Sequence, residues 1–220
     1  MKGDKLFINK EHIKTANQSL ELLLPEIKTA KGRFIITVAG ESGSGKSEVA
    51  AALSKALSRQ RIKSTILQQD DYFVYPPKTN ENMRRKDIRH VGMSEVKLDL
   101  LDQNLKDAVT GQSTITKPLV IFDEDRITTE TIDLEGVNVI IVEGTYTTTL
   151  MSAQRRIFID RNYVDTLAAR LKRAREAQDE FLETVLEIEH GIIRPQKAKA
   201  DIIITRDYEA KWNEPEDRQS

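Results

Sequence analysis

At 220 residues the chain is long enough for one domain with a substantial core, or for one domain and a lid. Acidic and basic side chains nearly balance, 35 against 34 for a net charge of −1, so the basic excess usual in proteins that live on DNA or RNA is missing. The chain has no cysteine, which excludes disulfides, cysteine-ligated zinc and thiol catalysis.

No apolar run approaches the roughly eighteen residues of a membrane span. The start, MKGDKLFINKEHIK, lacks the apolar core and cleavage site of a signal peptide, so a cytoplasmic protein is expected. Residues 9–31 read as a helix with Ile13, Leu20, Leu23, Leu24 and Ile27 on one side and Pro25 as a kink or restart. Residues 33–40, RFIITVAG, are a short β-branched apolar run and predict a buried strand. A helix follows over 46–60, with Val49, Leu53, Ala56 and Leu57 on one face, and then a second strand over 63–70. Residues 70–90 read as a loop passing into a polar helix. Residues 94–112 predict a helix with Val96, Leu100, Leu105 and Val109 inside and Gly111 as its stop. Two or three short strands with turns are expected over 113–136, and a strongly apolar strand over 137–146 that ends at Glu143. Another strand over 155–160, a pair of helices over 162–193 and a last strand over 199–205 complete the series. Strands alternating with helices predict an α/β fold on a mainly parallel sheet.

Between the first strand and the second helix stands Gly40-Glu41-Ser42-Gly43-Ser44-Gly45-Lys46-Ser47, which matches G-x-x-x-x-G-K-[ST] in the strand–loop–helix context that the motif needs. Its glycines permit positive φ, so successive N–H groups can turn inward as an anion nest. The helix that begins near Lys46 and Glu48 points its open N–H groups and positive dipole end at the same place. Lys46 adds a mobile cation for the β- and γ-phosphates, and Ser47 a hydroxyl for Mg²⁺. The loop predicts a site for a nucleoside triphosphate, in a P-loop NTPase three-layer sandwich. Open α/β sheets bind ligands beyond the carboxyl ends of their strands, where Asp70, Asp71 and Glu143 fall. These carboxylates can ligand Mg²⁺, directly or through water, and accept a proton from an attacking hydroxyl.

With these pieces in place the sequence resembles the uridine kinase and phosphoribulokinase family of P-loop kinases, from about Arg33 to Thr205. The resemblance rests on the P-loop, on QQDDYF, on VIIVEGTY and on IFID…DTLAARLKR…KADIII. It implies an ATP- and Mg²⁺-dependent kinase with a small hydroxyl acceptor and a helical lid. Asp70 would be the catalytic base and Glu143 the metal-side carboxylate, joined at the metal by Ser47 and Asp70. Lid arginines Arg170, Arg173 and Arg175 would neutralise the transferring oxygens together with Lys46. The chain is read as one domain: an N-terminal helix over 1–32, the kinase core over 33–205 with the lid and following helix at about 163–196, and a polar tail over 206–220.

Acceptor recognition departs from the family pattern. The stretch LVIFDEDR keeps only Arg126 of the family's Tyr-Asp-Phe-x-x-His-x-Arg, and HVGMSEVKLD keeps only His90 of His-Pro-Asp-Ala-Phe-Asp. Poor activity on uridine is therefore expected. Asp71, Tyr72, Arg85, Arg89, His90 and Arg126 are the acceptor-side candidates. The basic run Arg84 to His90 is either a solvated helix face or a seat for an anionic acceptor such as a sugar phosphate. His12 and His190 receive no role, and Trp212 reads as a packing anchor. The alternative is a regulatory NTP-binding or NTP-hydrolysing switch, but ITKP offers neither the Asn nor the Asp of a guanine-specific Asn-Lys-x-Asp segment. No nucleic-acid or membrane partner is expected, and the oligomeric state is left open, a homo-oligomer included.

Overall fold

The seven residues of β1 (Phe34–Gly40) are all buried, as are the five of β5 (Val139–Glu143), so both strands must sit in the middle of a sheet covered on two faces. A computed structural model describes residues 6–173 and 179–214 and shows this arrangement. Six strands run in the order β2-β5-β1-β6-β7-β8, with β2 at Ser64–Gln68, β6 at Arg155–Ile159, β7 at Ile202–Ile204 and β8 at Ala210–Trp212. All pairings are parallel except β7 with β8, which is antiparallel.

Alternate side chains of the central strands feed two cores. Phe34, Ile36, Val38 and Ile141 face α1 (Lys10–Thr29) and α2 (Lys46–Arg59), where Leu20, Leu23, Leu53 and Leu57 are buried. Ile35, Ala39, Ile140 and Val142 face α4 (Leu98–Val109) and the region of Tyr72, Tyr146 and Ile193. The result is a three-layer α/β sandwich. β3 (Thr114–Ile121) and β4 (Arg126–Asp133) form a separate antiparallel hairpin. The remaining helices are α3 (Pro77–Lys86), α5 (Leu167–Arg173) and α6 (Glu180–Ile193). Among the described residues no helix is long and apolar enough to cross a membrane.

The helical faces differ from expectation in detail. In α4 the buried stripe is Leu101, Leu105 and Ala108, spaced i, i+4, i+7. Leu100 and Val109 flank that stripe and are 39% and 43% exposed. In α1 the buried face runs through Ala16, Leu20, Leu23 and Ile27 and begins at His12, while Ile13 is exposed. Pro25 lies within α1, which continues unbroken to Thr29. The stretch expected as a polar tail contributes β8, whose Trp212 packs against the α1 and α2 core.

Candidate functional site

β1 ends at Gly40 and α2 starts at Lys46, so the segment between them makes the whole turn. Gly43 and Gly45 take φ of 74° and 98°, in the left-handed region that favours glycine. Space forbids a side chain as well: a Cβ on Gly43 would lie 2.8 Å from Arg170 Cγ, and one on Gly45 2.9 Å from His12 Nε2. Gly45 is the N-cap of α2 and no side chain caps that end, which leaves the helix's first N–H groups facing the turn. Lys46 Nζ donates to the Glu41 carbonyl oxygen at 2.9 Å, curling the ammonium over the loop.

Three distant segments hold the outside of the loop. The Glu41 carboxylate is 5% exposed; one oxygen meets His190 Nδ1 at 2.6 Å and the other accepts from the Tyr163 N–H at 2.6 Å. Thr166 Oγ1 donates to the Ser42 carbonyl oxygen at 2.8 Å, and Arg170 donates to Thr166 Oγ1 at 2.8 Å and to the Tyr163 carbonyl oxygen. His12 closes the third side, its ring edge-on to Tyr208. Burial holds His12 below the usual imidazole value, against the upward pull of Glu48 and Glu11. Both histidines therefore touch the loop, although neither spacing nor neighbours in the sequence mark them. The one available signal is that His12 stands four residues before Ala16, at the start of the buried stripe of α1.

Glu143 ends β5, in register with Gln68 of β2. It is 5% exposed, and its Oε1 accepts from Ser47 Oγ at 3.0 Å and Gln68 Nε2 at 3.1 Å. Burial, with the charge of Asp70 adding to it, pushes the Glu143 carboxyl up to about 6, while Lys46 and the two hydrogen bonds pull it down. A buried carboxylate beside a second one is a setting that favours a bound cation. Ser47, Glu143 and Asp70 suit Mg²⁺, which commonly takes one or two carboxylates and fills its other positions with phosphate oxygens and water. No cluster of three or more His, Asp or Glu side chains forms among the described residues, so an all-protein metal cage is not what this site offers.

Next to Glu143, a Cβ on Gly144 would lie 2.2 Å from Gln69 Cβ. The missing side chain lets the turn that carries Asp70 pass close, and Gln69 Oε1 fastens it by accepting from the Tyr146 N–H at 2.7 Å.

A cavity of about 410 Å³ opens from Ser42, Lys46 and Ser47, passes Asp70 and Glu143, and ends between α3 and α6. Phe73, Tyr75, Phe122 and Phe181 supply aromatic wall, and Arg84, Arg85 and Glu189 polar wall.

The structure sorts the acceptor-side candidates. Arg85 lines this cavity. Asp71 does not: it is 2% exposed, accepting from Lys117 Nζ at 2.6 Å and from the Val120 N–H at 3.0 Å, and it pins the second half of β3, toward the hairpin turn. Tyr72 is in the core, its hydroxyl donating to Asn104 Oδ1 at 2.9 Å. Arg89 is solvated and paired with Asp87. His90 lies behind the wall, with Asn80 and the Tyr75 ring as neighbours. Arg126 pairs with Glu124 at the hairpin end. Of the other candidates, Glu41 spends its carboxylate on His190 and Tyr163, and Glu48 is buried in the first turn of α2. Arg170 is buried against Gly43 rather than standing over the cavity. The side chain of Arg173, and Arg175 as a whole, lie outside the described residues. The sequence did not point to Asp125, at the hairpin turn, which binds Thr79 Oγ1 at 2.7 Å and the Lys78 N–H at 2.7 Å and so fixes the start of α3.

Residues 35–211 match the phosphoribulokinase / uridine kinase family. A uridine kinase of Macrococcus caseolyticus is 31% identical over 77% of this chain and 86% of its own length. The bifunctional alpha-galactosidase/sucrose kinase of Mediterraneibacter gnavus is 26% identical over 81% of this chain, which spans only 20% of that longer protein. Among solved structures, a D-glycerate 3-kinase of Cryptococcus neoformans var. grubii superposes with a TM-score of 0.60 at 12% identity, covering 93% of this chain and 99% of that one, a likeness of fold.

Proposed function

We propose a reaction that starts from kinship: the chain belongs to the phosphoribulokinase / uridine kinase family, and it acts as an ATP-dependent kinase for a hydroxyl of a small nucleoside-like or sugar-like acceptor. The observation that carries this reading is that Lys46, Ser47, Asp70 and Glu143 meet at one end of a single cavity, with room for a small molecule beyond them. At about 410 Å³ the space falls within the roughly 300–1,000 Å³ of small-molecule sites. The names of the sequence relatives support the same reaction class.

The open N–H groups of the loop and of α2 bind the phosphates. Lys46 leaves the Glu41 carbonyl and follows the γ-phosphate, offsetting the charge that develops in transfer. Ser47, Glu143 and Asp70 would hold Mg²⁺, which supplies positive charge shared among phosphate oxygens when bound. Asp70 takes the proton of the acceptor hydroxyl. The acceptor oxygen forms its bond to the γ-phosphorus as the bond from that phosphorus to the bridging oxygen breaks, and ADP leaves. Arg170 acts at one remove, holding Gly43 and the Ser42 carbonyl through Thr166.

Lys46→Ala tests the phosphate clamp. Losing one preorganised charge-stabilising group costs roughly 100- to 1,000-fold in kcat, and the circular dichroism spectrum should stay that of the wild type. A variant that keeps half the wild-type rate of ADP release would contradict the assignment.

A further inference from the structure

The far end of the cavity carries arginines, yet both are already engaged. Arg84 is held in a half-buried triad: it donates to Glu95, whose side chain is fully buried, and to Glu189 at 2.9 Å. Arg85 is held by Glu81 at 2.8 Å and Asp179 at 2.9 Å, and its guanidinium rests 4.3 Å above the Phe181 ring. Lys46 serves the phosphates. Among the described residues the remaining cation on the wall is Lys78, which is exposed. Against Lys78, Arg84 and Arg85 stand the carboxylates of Glu81, Glu95, Asp179 and Glu189, so among the described residues this end carries no surplus of positive charge. A phosphate or carboxylate entering here would have to displace a carboxylate already bonded to arginine and would face the one it displaced.

We propose that the acceptor is an uncharged polyhydroxyl molecule, a free sugar, a polyol or the sugar ring of a nucleoside, and not a sugar phosphate or a hydroxy acid. The inference rests on the kinase reading above. Hydroxyl groups donate to carboxylate oxygens, which only accept. The C–H faces of such a ring suit the aromatic wall of Phe73, Tyr75, Phe122 and Phe181. Excess carboxylate also selects against the wrong partner, because like charges brought together at a binding surface repel.

The test compares matched acceptors with the wild-type chain, ATP and Mg²⁺: fructose with fructose 6-phosphate, glycerol with glycerate, and uridine with uridine monophosphate. ADP and the phosphorylated acceptor are both measured. In the pair whose ring fits the site the uncharged member should be turned over, with kcat/KM for its charged counterpart at least roughly tenfold lower. The sugar, polyol and nucleoside arms show which molecule carries the ring. Preference for the charged members would overturn the proposal while leaving the kinase reading intact. ADP release indifferent to every member of both sets would count against the kinase reading, and this one with it. A second arm uses Glu81→Gln with Asp179→Asn, which frees Arg85 while asparagine still caps α6. In that variant the charged acceptors should gain and the discrimination should narrow. If the discrimination is unchanged, carboxylate pairing is not its cause and the proposal fails.

Discussion

Asp70 and Asp71 are neighbours with opposite surroundings. The short 3-10 turn Gln69–Tyr72 sends the first to the cavity and the second into the interior. Asp70→Asn should keep ATP binding and lose kcat by roughly 100- to 10,000-fold, the range of general acid–base catalysis; equilibrium binding and turnover measured on one preparation separate the two. Asp71→Asn should do the reverse. It leaves Lys117, 3% exposed, without its buried carboxylate and with the outer carboxylate of Glu130 at 2.6 Å and the Pro118 carbonyl oxygen at 2.9 Å. Breaking a buried ion pair from one side costs roughly 3–5 kcal/mol, to be read as a lower denaturant midpoint with kcat largely kept below the transition. A dead but stable Asp71 variant would exchange the two roles. The sequence placed both carboxylates at the end of one strand, and nothing local decides between them, because the partner of Asp71 lies 46 positions away. The Glu41–His190 contact was hidden for the same reason, with a separation of 149 positions.

Elements that announce themselves by long apolar runs or clean helical periodicity, β1, β5 and α2, were legible in the sequence together with the loop they position. The β3–β4 hairpin was harder, since exposed and buried positions mix along it and it is held from outside, by Asp71 on the second half of β3 and by Asp125 at the turn. The buried face of α4 differs from the expected one because apolar residues flank the buried stripe on both sides. Gly144 joins two elements whose closeness the sequence does not display. Gly144→Ala would place a Cβ 2.2 Å from that of Gln69 and push away the turn bearing Asp70. Activity should fall at least roughly tenfold, as a misplacement of about 1 Å can cost 100-fold, while ATP affinity, carried by the loop N–H groups and Lys46, changes less than kcat. A variant with wild-type kcat would show that Asp70 does not depend on this close approach.

At the scale of the molecule, α1 and the turn that carries Tyr208 meet beside the nucleotide loop. α1 lies outside the family match at 35–211 and is tied to the turn before β8: Thr15 Oγ1 donates to the Tyr208 carbonyl oxygen at 2.9 Å, and Gln18 to Glu209 at 3.0 Å. The sequence showed α1 but not β8, whose three residues are too few to display a two-residue period, nor the place where α1 docks. The parallel sheet and its carboxyl edge, by contrast, follow from the alternation of strands and helices, and with them the half of the site that handles phosphate. The end of the cavity proposed for the acceptor is assembled from α3, α6 and the hairpin turn, and its charge balance emerges only from side chains paired across those elements. The most direct test of the whole account is to follow the γ-phosphate by ³¹P NMR, with ATP, Mg²⁺ and an uncharged acceptor. The account predicts a phosphate monoester of the acceptor appearing in step with ADP for the wild type and not for Asp70→Asn. ADP and inorganic phosphate appearing at the same rate with or without acceptor would contradict it and mark the protein as an NTP hydrolase.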